Sequence, residues 1–324
     1  MSFEMPVETW RGGVTEITVG ATEQEGGTRE KTVTVGGATT LPFLDFEGET
    51  PRPAIAMEVL DEQPTGWPEP LEQAFSDVYG DPPTWAQKCV EEYGAELICL
   101  RLVSADPDES DASPDELAER VKSVLEAVSV PLVIWGCGNY DKDNEMWPLV
   151  SQAAAGERVV LGSAEEDNYK TIAACALADK HIVLNEAPLD INIQKQVTIL
   201  LTDMGVNPDD IMLYQVTGGL GYGIEYAFSI LERTRLAALG GDKMLAQPML
   251  SIVGSEAWKV KEARLPESEA PEWGPQVPRS ILWEAATALT FLNAGTDILV
   301  MWHPDAVKLV RGAIDDMFAS SGGS

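Results

Sequence analysis

Apolar positions fall in two regimes along this chain. In residues 1–50, Val14–Val19 and Lys31–Val35 alternate apolar and polar side chains around a Gly26-Gly27 stretch, a period of two that predicts a β-hairpin. Pro51 and Pro53 mark the exit. Beyond them come short, nearly continuous apolar runs, each followed by a segment with helical spacing: Ala54–Leu60, Leu97–Leu102, Pro131–Trp135, Arg158–Leu161, His181–Leu184, Ile211–Tyr214, Met249–Val253 and Asp297–Met301. Runs without alternation suit strands buried on both faces, and strand–helix alternation implies parallel pairing through right-handed crossovers. Ser113-Pro114-Asp115-Glu116 forms a capping box with proline at the first helical position, and Leu117, Val121, Val124, Leu125 and Val128 then make one apolar stripe. Eight such units close most economically as an α/β (β/α)8 TIM barrel, with a doubly wound open sheet as the alternative. The expected organisation is an N-terminal hairpin extension over 1–50, the barrel over 51–318 and a flexible tail over 319–324.

The composition of the 324 residues, 44% hydrophobic and 23% charged, supports a packed core. Charge changes the picture more: 53 acidic against 22 basic side chains leave a formal net charge of −31. Nucleic acid is excluded as a partner, because displacing phosphate counterions needs clustered Lys and Arg, and anionic membrane surfaces are disfavoured on the same ground. The acidity fits a well-solvated surface, a high-salt cytoplasm or a cationic partner face. No run approaches the ~18 apolar residues of a membrane span, and Met1–Arg11 lacks a basic start and an apolar run, so a soluble, cytoplasmic protein is expected. Cys89, Cys99, Cys137 and Cys175 form no CxxC pair, and they read as free thiols in a reducing compartment.

In a TIM barrel the functional residues lie on the loops after the strands. Here those loops are rich in glycine and poor in nucleophiles and bases. Gly136-Cys137-Gly138-Asn139 follows the third predicted barrel strand, the segment from Asn185 through Asp190 to Asn192 the fifth, Thr217-Gly218-Gly219-Leu220-Gly221-Tyr222 the sixth, and Gly254, Glu256 and Trp258 the seventh. The glycine loop fits neither GxGxxG nor a Walker spacing, and instead suggests a place where something flat and bulky approaches backbone, or a plain tight turn. His181 opens a strand at the barrel's bottom and reads as structural, whereas His303 ends the eighth strand, where a site role is possible. Neither has a carboxylate or histidine at metal-ligand spacing, and no Ser/His/Asp set is present. Asp190, Glu186 and Glu256 suit acid–base work as well as helix capping and ion pairing. No catalytic residue and no metal ligand is therefore predicted. The picture is of a binding face with little catalytic machinery.

Several segments together resemble one family. Gly20–Thr22 with Glu25–Arg29, Thr32–Thr39, Trp85–Ala95, Asp167–Ala174, Pro188–Ile193, Gly218-Gly-Leu-Gly-Tyr-Gly-Ile-Glu-Tyr226 and Glu256–Glu262 are similar to the small subunit of the corrinoid iron–sulfur protein, the delta subunit of acetyl-CoA decarbonylase/synthase. That resemblance spans nearly the whole chain. It implies a methyl-group carrier of the reductive acetyl-CoA (Wood–Ljungdahl) pathway, working as a heterodimer with a large subunit that brings a [4Fe-4S] cluster and a corrinoid-binding domain. A cobamide would then sit between the subunits over the barrel's C-terminal loops. Its further partners would be a methyltetrahydrofolate methyltransferase and acetyl-CoA synthase. The residues proposed to meet the cobamide are Gly136, Gly138, Asn139, Asn185, Asp190, Asn192, Thr217, Gly218, Gly219, Gly221, Tyr222, Gly254, Glu256 and Trp258. A rival expectation is an autonomous barrel methyltransferase that holds methyltetrahydrofolate through Asp190, Asn192 or Asn139.

Overall fold

The computed structural model describes residues 6–221 and 223–321. An antiparallel pair, β1 (Ile17–Val19) and β2 (Val33–Val35), precedes eight parallel strands: β3 (Ala54–Leu60), β4 (Leu97–Arg101), β5 (Leu132–Trp135), β6 (Val160–Ala164), β7 (Ile182–Ala187), β8 (Ile211–Gln215), β9 (Met249–Ile252) and β10 (Ile298–Met301). These eight close on themselves in sequence order, β10 pairing with β3 through Ile298 opposite Ala54. The helices are α1 (Glu69–Phe75), α2 (Pro82–Glu91), α3 (Pro114–Ala127), α4 (Tyr140–Ala153), α5 (Tyr169–Asp179), α6 (Ile191–Asp203), α7 (Ile224–Leu239), α8 (Gly254–Ala257), α9 (Lys261–Arg264), α10 (Gln276–Ala294) and α11 (Pro304–Ser321). The fold is thus the (β/α)8 barrel with an N-terminal hairpin. The last helix runs three residues past the boundary drawn at 318, and the final Gly-Gly-Ser lies outside the described residues. Among the described residues no helix is long and apolar enough to cross a membrane.

Why the runs are apolar throughout follows from the two cores. Outward positions such as Ile55, Met57 and Val59 pack against the helices, while inward positions such as Ala54, Ala56, Leu97, Cys99, Val133, Ile182, Leu184, Met212, Leu250 and Ile298 fill the barrel. Helix starts follow the sequence signals: the Glu116 amide donates to Ser113 Oγ (3.4 Å) and the Ser113 amide to Glu116 Oε2 (2.8 Å). The Lys180 amide closes α5 in a left-handed conformation, and His181 beyond it is buried with Nε2 3.0 Å from the Ser151 carbonyl, a packing role at the barrel's bottom.

The hairpin has a definite job. Ile17, Val19 and Val35 are at most 1% exposed and join the cluster that fills the barrel interior, so the ribbon plugs the N-terminal end. Arg29 pins it there: buried to 4% exposure, it donates Nε to Glu157 (2.8 Å), Nη1 to the Val128 carbonyl and Nη2 to the Leu125 carbonyl (2.7 Å). The Gly36 backbone is left-handed (φ +88°) and lies so close to the Thr15 carbonyl that no Cβ fits.

Candidate functional site

Period-two alternation carries the inward face of each strand to its C-terminal end. There the apolar filling gives way to Glu58 (β3), Arg101 (β4), Trp135 (β5), Glu186 (β7) and Tyr214 (β8). These groups hold one another. Arg101 Nε donates to Glu58 Oε1 at 2.8 Å and Nη2 to Oε2 at 3.4 Å, and its guanidinium stands over Trp135, 4.8 Å from the ring centre. Trp135 meets Tyr214 edge-on, centroids 4.9 Å apart at 86°. The floor of the mouth is therefore filled, with Trp135 and Tyr214 only 6% and 5% exposed.

Glu186 stands beside this floor, bonded by the Ser163 hydroxyl. Burial pushes its carboxyl up to about 7, opposed by the Ser163 bond and reinforced by Glu165. Tyr214 is driven above the ordinary phenol range by burial and then by Glu186. Behind the rim, Glu284 of α10 accepts from Trp258 Nε1 (2.7 Å), Trp302 N (2.5 Å) and His303 N (3.0 Å), and burial lifts it to about 7 as well.

The predicted site residues divide into three groups. On the open rim are Gly138, Asn139, Asn192, Gly218 and the half-buried Glu256. Asn139 caps α4 by accepting from the Lys142 amide (3.2 Å), and Glu256 pairs with Lys259 (2.7 Å). Gly218–Gly221 forms a short 3-10 turn that includes Gly219 and leads towards α7, while Tyr222 lies outside the described residues. A second group shapes the loops from within. Asp190 caps α6, accepting from the Asn192 amide (2.7 Å), Thr217 Oγ1 donates to the Ile252 carbonyl (2.6 Å), and a Cβ on Gly136 would fall 2.6 Å from Asp143. Asp143 in turn accepts from the amides of Cys137 (3.0 Å) and Gly138 (3.1 Å), so this glycine loop wraps one of its own carboxylates. Gly254 opens α8, where a Cβ would lie 2.5 Å from Trp302.

The third group faces away from the mouth and corrects the expectation. Asn185 is fully buried on the outer face of β7, its Nδ2 donating to the Gln194 carbonyl (3.0 Å) and Thr198 Oγ1 (2.8 Å), because odd positions of that strand point to α6. Trp258, 2% exposed, stacks on His303 with centroids 5.8 Å apart and packs in one cluster with Leu71 of α1 and Ala263 of α9. His303 is likewise packing, its Nδ1 accepting from the Asp305 amide (3.1 Å). Sequence reasoning missed Glu58, Arg101, Trp135 and Tyr214; the available signal was a charge at the last inward position of two otherwise apolar runs.

The profile of the CO dehydrogenase/acetyl-CoA synthase delta subunit matches residues 16–311. The chain belongs to that family. Among its relatives, the acetyl-CoA decarbonylase/synthase complex subunit delta of Archaeoglobus fulgidus is 38% identical over 327 residues, covering 99% of this chain and 71% of the relative. That of Methanothermobacter thermautotrophicus is 40% identical over 95% of this chain and 77% of its own length. As a member of this family, the chain is a subunit type of the acetyl-CoA decarbonylase/synthase complex. Solved structures similar in fold include dihydropteroate synthases from Xanthomonas albilineans (TM-score 0.57, 12% identity, covering 84% of this chain and 94% of that one). Another is from Coxiella burnetii (TM-score 0.55, 14% identity, 88% and 99%). Both establish the barrel alone.

Proposed function

We propose that this delta-family chain is the barrel half of a methyl-carrying heterodimer, closing one side of a cobamide that a large subunit holds. The observation carrying the proposal is the filled mouth: Arg101 fixed between Glu58 and Trp135, Trp135 against Tyr214, and the exposed glycines Gly138 and Gly218 on the rim. Such an end suits a broad, flat ligand laid across it better than a small substrate enclosed within it. The lining fits a corrinoid, whose rim of amide side chains needs acceptors such as Glu186 and Glu256. The corrinoid's cobalt(I), when bound, supplies the nucleophile that takes up and passes on a methyl group.

This chain's own contribution is to hold and to exclude. Neither histidine offers an imidazole across the mouth, since His181 is at the sealed end and His303 is stacked under Trp258. The heterodimer would receive its methyl group from a methyltetrahydrofolate methyltransferase and deliver it to acetyl-CoA synthase, with the [4Fe-4S] cluster on the large subunit. The rival, an autonomous methyltransferase binding methyltetrahydrofolate, is less well supported, because the side-chain oxygens of Asn139 and Asp190 already accept from their own helices. Co-expression with the large subunit, gel filtration and a visible spectrum test the proposal. A coloured heterodimer is expected; a lone, colourless peak, or micromolar binding of methyltetrahydrofolate to the isolated chain by calorimetry, contradicts it.

A further inference from the structure

We propose that Glu186 takes up a proton from solvent when a macrocycle lying across the mouth loses positive charge, so that reduction of its cobalt is coupled to protonation of this chain. The inference rests on the corrinoid reading above and extends it to the role of one side chain.

The geometry sets Glu186 apart from Glu58 and Glu256. Glu58 has a cation of its own, since Arg101 donates to both of its oxygens, and Glu256 has Lys259. Glu186 has a neutral hydroxyl, Ser163, as its hydrogen-bond partner. The charged and titratable groups facing it are Glu165 beyond β6, Arg101 of β4, Asp143 and Tyr140 of α4, and Tyr214 of β8. Arg101, the one cation among them, is already committed to Glu58. A half-buried carboxyl with acidic neighbours and no cation of its own is held near the balance between its charged and neutral forms, consistent with a value of about 7.

Charge on the ligand would tip that balance. A corrin ring contributes one negative charge, so its cobalt(II) form is a monocation and its cobalt(I) form is neutral. A nearby cation favours the Glu186 carboxylate, and losing it favours the acid. The balanced step is cobalt(II) plus one electron from a low-potential one-electron donor, plus one solvent proton, giving cobalt(I) and the neutral Glu186 carboxyl. Covering the mouth displaces water and strengthens the coupling.

The test is the cobalt(II)/cobalt(I) midpoint potential of the co-expressed heterodimer, measured by spectroelectrochemistry from pH 5.5 to 8.5. The wild type should fall in potential as pH rises, by at most about 59 mV per tenfold change in proton concentration. E186Q should give a flat profile, and E186D, which keeps the carboxyl, should retain a slope. A flat wild-type profile, or a slope unchanged in E186Q, overturns the coupling while leaving the corrinoid reading standing. A heterodimer lacking cobalt overturns that reading and the coupling with it.

Discussion

Arg101→Leu isolates the feature that fixes the mouth. The Glu58 side chain is 1% exposed and Arg101, itself 21% exposed, is the only cation paired with it among the described residues. Removing one partner of a buried ion pair costs about 3–5 kcal/mol, because the remaining charge stays desolvated. Losing the guanidinium over Trp135 adds roughly 0.5–2 kcal/mol. The Glu58→Leu/Arg101→Leu double variant, which removes both charges, should recover most of the loss. Urea unfolding followed by tryptophan fluorescence, in at least 0.5 M salt, reads these differences as shifts in midpoint at constant slope. A single variant within about 0.5 kcal/mol of wild type, or a double variant as unstable as the single, refutes the idea that the pair supports the floor.

Three further outcomes follow from the same geometry. Arg29→Ala strands Glu157 and leaves the Val128 and Leu125 carbonyls short of a donor, so the plug should loosen at a cost of about 3–5 kcal/mol; limited proteolysis that cuts no faster within residues 14–35 would speak against this. Glu186 titrates near 7 when folded against about 4.3 when unfolded, so the native state holds the proton more tightly and stability falls as pH rises from about 4.3 to about 7. Its share is on the order of 3–4 kcal/mol, and the difference between wild type and Glu186→Gln across that window in urea melts measures it. With a net charge of −31, self-repulsion should weaken as salt rises, and a melting temperature that fails to increase between 0.1 and 1 M NaCl would show that repulsion is unimportant.

The barrel was legible because each strand is buried on both faces and so reads as an unbroken apolar run, as Ala54–Leu60 does to the residue. The mouth was harder to see for the same reason: where both faces are apolar, alternation is invisible, and Glu58 looks like an interruption rather than the last inward position. Asn185 and Trp258 looked exposed because they sit in or beside loops, yet parity turns Asn185 outward to α6, and Leu71 of α1 and Ala263 of α9 pack with Trp258. Glu284, far along the sequence on α10, reaches the loop after β10 only through closure of the barrel, which no local pattern records. The hairpin's alternation announced one buried face without saying that the barrel's own interior would cover it.

Amide hydrogen exchange of this chain, alone and bound to its cobamide-loaded large subunit, tests most directly which end carries the function. Slower exchange is expected in the segments 136–140, 163–168 and 216–221 around the open mouth, with residues 17–35 of the plug unchanged. Protection gained at the plug and absent from those rim loops would contradict the account.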